Sequence, residues 1–319
     1  MKTKAAVLGY PNSNNLGDFI QSIAASQWIG SKEVLSIDRD QLHRYNGPKA
    51  RLLMNGWFME EPQNWPPSDQ IIPLFISFHL NPTAEKGMLS PQGIRYFKMN
   101  EPIGCRDLYT QNTLRNHGIQ TYFSGCLTLS LKRENFIKKD QERKGILVIS
   151  PLERLLPQQD TSKKGGLKRL FISTLLLIKQ PLKRSKYSKA IKILEAYLSQ
   201  TDEEIQYCSQ LMDPEAHTEK ERMDAALAQL KGIAKAKLVV SSRIHSALPA
   251  VAFGTPVLFL SDGLEHPNQK SRLQGMESFF ISTTSQELEN KQFEIPEPKT
   301  ISKDILDRFK KEISAFLKE

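Results

Sequence analysis

The sequence predicts an α/β protein of two Rossmann-like domains facing a cleft, on three observations. Short apolar runs alternate with helical patterns along most of the chain. Its 319 residues exceed a usual single domain. A charged stretch at 132–144 then separates two such alternating halves. The expected divisions are residues 1–135, residues 145–300 with a basic insertion at about 155–190, and a closing helix at 301–319.

In chain order, residues 5–10 (A-A-V-L-G-Y) read as a buried first strand. The loop 11–18 (P-N-S-N-N-L-G-D) leads into a helix at about 18–29. Asn and Gly suit so tight a turn, and Asp18 suits the start of the helix. The loop lacks G-x-G-x-x-G and G-x-x-x-x-G-K-[ST], so it carries neither a dinucleotide fingerprint nor a P-loop. Residues 34–37, 51–58 and 71–79 are further strands, 60–67 is irregular around Trp65, and 91–99 is a short helix. Residues 101–105 turn into a helix at 108–117, which sets Arg106 and Asp107 at a strand-to-helix junction. Residues 122–131 are expected to add strands. In the second half, strands at 145–150, 204–208, 237–241 and 256–261 alternate with helices at 186–199 and 219–236, before a closing helix at 303–317.

The most informative stretch is 241–256, S-S-R-I-H-S-A-L-P-A-V-A-F-G-T-P. Ser241 or Ser242 suits its N-cap and Gly254 its left-handed C-terminal position. Arg243 and His245 then fall in the first turn, just beyond the carboxyl end of a strand, the edge where open α/β sheets bind ligands. A guanidinium beside the free N–H groups of a helix start favours an anion. Pro249 has no N–H for the carbonyl of His245, so the turn holding the histidine is bent. The competing reading is a plain strand–turn–helix with polar caps.

Composition narrows the function classes. Ten Lys or Arg and no acid lie between 161 and 194, so a net charge of +9 leaves the rest of the chain at −1. So local a charge argues against a general nucleic-acid surface. It suits a solvated or partly disordered insertion or, as the sharper alternative, peripheral contact with an anionic membrane through 161–192. Three scattered cysteines form no CxxC pair, no metal-ligand cluster is spaced in the sequence, and residues 1–10 show no signal-like apolar run. A cytoplasmic protein without a metal is expected.

Four blocks resemble the polysaccharide pyruvyl transferase family: N-L-G-D at 15–18, P-I-G-C-R-D-L-Y-T-Q-N-T-L-R-N-H-G-I at 102–119, Y-F-S-G-C-L-T-L at 122–129 and S-R-I-H-S-A-L-P-A-V-A-F-G-T-P at 242–256. They occur in family order across both halves, and the least similar part is about 153–189. The resemblance implies a GT-B-like architecture and transfer of pyruvate from phosphoenolpyruvate to a sugar, generally as a cyclic ketal, with no further cofactor. It places Arg243, Ile244 and His245 in the family's Arg-Leu-His motif, with Ile in the place of Leu. Arg106 becomes a second anion contact, and Ser242, Asn15 and Gly17 join the substrate-binding set. His245 and Asp18 are the candidate acid and base. The acceptor is expected to be a polysaccharide or lipid-linked oligosaccharide unit. His79, His266 and Arg272 are open as cleft or surface residues. A nucleotide-sugar glycosyltransferase and a non-catalytic assembly scaffold are the alternatives.

Overall fold

Two parallel sheets organise the protein, whose computed structural model describes residues 3–30, 34–156 and 167–318. The first holds β1 (Lys4–Gly9), β2 (Leu35–Asp38), β3 (Ala50–Phe58), β4 (Ile71–Leu80), β5 (Ile103–Cys105) and β6 (Thr121–Phe123) in the order β2-β1-β3-β4-β5-β6. Its helices are α1 (Leu16–Ile29), α2 (Glu85–Met88), α3 (Pro91–Met99) and α4 (Leu108–Asn116). The second sheet holds β7 (Ile146–Ile149), β8 (Ile205–Cys208), β9 (Leu238–Ser241), β10 (Val257–Leu260) and β11 (Ile281–Thr283) in the order β11-β10-β9-β7-β8. With it run α5 (Leu167–Leu198), α6 (Glu219–Lys235), α7 (Ile244–Ala252), α8 (Pro267–Leu273) and α9 (Ser285–Leu288). The last helix, α10 (Lys303–Lys318), returns to the first sheet, where Phe309, Ile313 and Phe316 are buried and Arg51 bonds the Phe316 carbonyl. The two-unit α/β fold expected from the alternation is therefore present.

Both sheets are wound alike. Counted from its own first strand, each runs 2-1-3-4-5, with a sixth strand added to the first sheet. The order reverses between β1 and β3 and again between β7 and β9. A crevice opens outside the carboxyl ends of such strands. One continuous buried cluster joins the two halves, and a second lies between α5 and the far face of the second sheet. The carboxyl ends thus face each other across a narrow gap.

Four local expectations change. Residues 122–131 give only β6, because Gly125 is left-handed (φ +69°) and a 3₁₀ turn follows at Leu127–Ser130. Helix α7 is capped by Arg243 itself: Ser241 turns its hydroxyl back to accept from the Arg243 N–H at 3.0 Å, and Ser242 donates to the Ser150 carbonyl. Helix α1 begins at Leu16 with Asn15 as cap, and Asp18 lies inside its first turn. The helix expected at 186–199 starts earlier, as α5 from Leu167, and so runs through part of the basic segment. Residues 157–166 lie outside the described residues, but α5 buries Ala190, Leu194, Tyr197 and Leu198 at helical spacing.

The charged stretch between the sheets is likewise tied down. Arg133 donates to the carbonyl of Ala234, and Arg143 donates to those of Ala234, Ala236 and Phe253. Both guanidinia thereby satisfy carbonyls at the carboxyl ends of α6 and α7, where cations are favoured. These bonds help set α7, and with it Arg243 and His245, against the first sheet.

Candidate active site

The loop after β1 is locked to the second half. The Leu16 N–H donates to the Gln210 carbonyl at 2.9 Å, and Met212 N–H to the Asn14 carbonyl at 2.7 Å. Arg222 donates to the carbonyls of Ser13 and Pro11. The Asn15 side chain accepts from Gly17 N–H at 3.1 Å and from Gln210 Nε2 at 3.0 Å. Gln210 in turn accepts from Ser246, one residue past His245. A Cβ on Gly17 would sit 2.9 Å from the Cβ and Nδ1 of His245. Only glycine lets the loop backbone approach the His245 side chain so closely. Tertiary folding thus brings together Asn15, Gly17 and His245, which are over two hundred positions apart.

Around that contact stand the cations. Arg106, directly after β5, is fully buried, and none of its Nε, Nη1 and Nη2 groups has a protein hydrogen-bond partner. Its nearest acid, Asp107, is 3.6 Å from Nε. Arg243 pairs with Glu153 and leaves its Nε free. The crevice is lined by Asn15, Arg154, Gln210, Arg243, His245 and Arg272, and Ser242 and Ile244 also border it. Its empty space is about 330 Å³ with open solvent included.

Electrostatics make the same point from the charges. Burial, then repulsion from Arg243 and Arg272, pushes Arg154 down to about 8. Burial and Arg106 push Arg272 down to about 10. Burial, Arg106 and Arg272 hold His245 well below the ordinary histidine range, so its imidazole is neutral and its Nε2 has no protein partner. Glu153 moves the other way: although burial raises it, the Ser150 hydroxyl bond and Arg243 hold it below its usual value. The described site has excess positive charge and unsatisfied donors, which is what an anionic ligand relieves.

Sequence reasoning left His79 and Arg272 open and missed Arg154, Glu153 and Gln210. Arg272 rides on α8, a helix not foreseen although His266 and Pro267 supply an N-cap and a first-turn proline. His79, at the end of β4, is fully buried with Nδ1 2.6 Å from Asp107 Oδ2. Asp107 also accepts from Thr110 N–H at 2.9 Å, capping α4. His266 is the cap of α8, its ring accepting from Asn268 N–H. Asp18 accepts from the Ser13 hydroxyl at 2.6 Å and from Gln21 at 3.3 Å.

His79 yields a pH prediction. Burial lowers its pKa from 6.5 to about 4, with Asp107 opposing the shift. Between those values the unfolded chain binds a proton that the native protein does not. The neutral histidine's contribution is therefore complete above pH 6.5 and is lost as pH falls from there toward 4, by roughly 3 kcal/mol. Denaturant midpoints measured from pH 7 to 4.5 should fall less steeply in His79→Asn than in the native protein. An unchanged slope would rule out His79 as a source of it.

Fold and site together define a two-unit α/β protein with an arginine–histidine centre suited to a small anion. The sequence profile described as polysaccharide pyruvyl transferase matches residues 15–263, and the chain belongs to that family. No curated protein matches the chain. Among solved structures it is similar to an uncharacterized protein of Klebsiella pneumoniae, at 11% identity, 88% of this chain, 93% of that one and a TM-score of 0.47. It is also similar to the UDP-GlcNAc 2-epimerase of Methanocaldococcus jannaschii (9%, 98% and 100%, 0.37) and to MnaA of S. aureus (12%, 100% and 97%, 0.36). Likeness at this level carries no argument about the reaction. Among the described residues, no helix is long and apolar enough to cross a membrane. Among them, too, no three His, Cys, Asp or Glu side chains gather as metal ligands.

Proposed function

We propose that the protein transfers the enolpyruvyl group of phosphoenolpyruvate to hydroxyls of a polysaccharide or lipid-linked oligosaccharide, closing a pyruvate ketal and releasing phosphate. The observation that supports this best is Arg106, a fully buried guanidinium whose three nitrogens make no protein hydrogen bond, near enough to repel Arg272 and His245 in the crevice that Arg243 and Arg154 also line. Phosphoenolpyruvate brings a carboxylate and a phosphate, and planar guanidinia bind both in two-pronged fashion.

In this reading His245, neutral in the free protein, gains a proton as the donor's negative charge offsets Arg106 and Arg272. It passes that proton to C3, and C2 becomes oxocarbenium-like. An acceptor hydroxyl adds to C2, the C2–O bond to phosphate breaks, and a second hydroxyl closes the ketal. Of the two hydroxyl protons, one restores His245 and the other leaves with phosphate. Asp18, in the first turn of α1 on the facing unit, takes the proton from the attacking hydroxyl and passes it to the departing phosphate. Gly17 and Asn15 hold the loop against His245, while Ser242 and Ile244 shape the crevice floor. Peripheral membrane contact through 161–192 belongs to the same proposal and rests on the charge run alone.

The test is thermal melting with phosphoenolpyruvate and, separately, with a UDP-sugar. A ligand that binds only the native state raises its melting temperature, by the equivalent of about 2.7 kcal/mol at a hundredfold excess over Kd. Phosphoenolpyruvate is expected to raise it and the UDP-sugar to leave it unchanged. The reverse pattern would favour a nucleotide-sugar transferase.

A further inference from the structure

The donor's two charged ends need two places, and the arginines are not equivalent. Arg106 is enclosed at the end of β5, beside Asp107 and His79. Arg154 and Arg243 instead line the crevice, at the carboxyl ends of β7 and β9 where the second sheet reverses its order. Resting on the pyruvyl-transfer reading above, we infer that Arg154, a residue outside every motif block, binds the donor phosphate together with Arg243, while Arg106 holds the carboxylate.

The local chain is built to present this side chain. Ser150 (φ +44°) and Leu152 (φ +61°) are both left-handed, an uncommon conformation for residues with a Cβ. The turn they make sends Glu153 to Arg243 and sets Arg154 in the crevice wall. Behind it the backbone at Gly263 (φ +77°) is so close that a Cβ there would lie 2.9 Å from the Arg154 Cβ. The stem is thus fixed. Its Nε is buried without a partner. The adjacent carboxylate is not free to serve it, because Glu153 is engaged by Arg243, by Ser150 at 2.6 Å and by Ser209 at 3.1 Å.

The chemistry orders the two ends. Phosphate departs in the reaction, whereas the carboxylate stays on the ketal. The leaving group therefore belongs at the open crevice and the retained carboxylate at the enclosed arginine. A phosphate dianion also matches two guanidinia, and Arg154, pushed down by burial, Arg243 and Arg272, gains most from such a neighbour. Arg272 and Arg106 repel each other, as do Arg272 and Arg154.

The experiment measures the melting temperature of the full chain against increasing inorganic phosphate and against phosphoenolpyruvate. It compares the native protein with Arg154→Gln and Arg154→Lys. In the native protein both ligands should raise the melting temperature. Arg154→Gln should weaken both by about ten- to a hundredfold, the scale of one lost charged hydrogen-bond contact. Arg154→Lys, which keeps the charge and the fold but not the fork, should fall between. Native-like binding by Arg154→Gln overturns the assignment and leaves the donor reading standing. Native-like binding by Arg154→Lys overturns the two-pronged contact as well, since charge alone would then suffice. Absence of any response in the native protein would instead sink the donor reading itself.

Discussion

Arg106→Met is expected to melt a few degrees higher than the native protein while losing its response to phosphoenolpyruvate. A buried charge stabilises a fold only when it is paired and hydrogen-bonded. Arg106 is fully buried with no protein hydrogen bond on any guanidinium nitrogen, and its ion pair with Asp107 is long, at 3.6 Å. Replacing whole buried ion pairs with apolar side chains of similar volume is often neutral or stabilising, by about 1–4 kcal/mol, and Arg106, with only one long contact to Asp107 to lose, is expected to follow that pattern. Asp107 is not left bare by the change, because His79 and the Thr110 N–H still hold it. The variant also relieves Arg272 and His245 of their strongest charged repulsion. Opposite signs for stability and binding are the mark of a functional group maintained at the expense of the fold. A melting temperature at or below the native value would mean that Asp107 already neutralises the guanidinium.

The second large effect concerns His245. With a competent acceptor, His245→Ala should lower the rate of phosphate release by about 10² to 10⁴, the range for loss of a general acid–base group. Donor binding should survive, because the arginines remain. Proton bookkeeping gives a sharper readout. Burial, Arg106 and Arg272 keep the free imidazole neutral at pH 7. A bound anion opposes the two arginines and raises the pKa, so binding draws in a proton. Calorimetry of phosphoenolpyruvate binding in buffers of differing ionisation enthalpy should therefore show greater uptake in the native protein than in His245→Ala. Equal uptake, or near-native turnover, would remove His245 from the chemistry.

Much of the fold was legible because its signals are local. Parallel strands covered on both faces read as continuous apolar runs, and β1, β3, β4, β7, β9 and β10 do so within a residue or two. Where a buried stretch ended in Gly125 and a 3₁₀ turn, burial looked like strand and the reading of 122–131 went too far. Helix α8 escaped because five of its seven residues are polar and leave no apolar stripe. The helix read at 186–199 carries the buried face of α5 at Ala190, Leu194, Tyr197 and Leu198, and only its earlier start at Leu167 went unread.

The site divides in the same way. The sequence by itself determined which residues stand at strand-to-helix junctions: the 15–18 loop, Arg106 with Asp107, and Arg243 with His245. A junction is a property of neighbouring residues, so order along the chain suffices to find it. Only the tertiary structure decided that Gly17 meets His245, that Asp107 holds His79, and that Arg154 and Arg272 join Arg243 at one crevice. It also decided their charge states, because desolvation and repulsion depend on burial and distance between parts of the chain that are far apart in sequence.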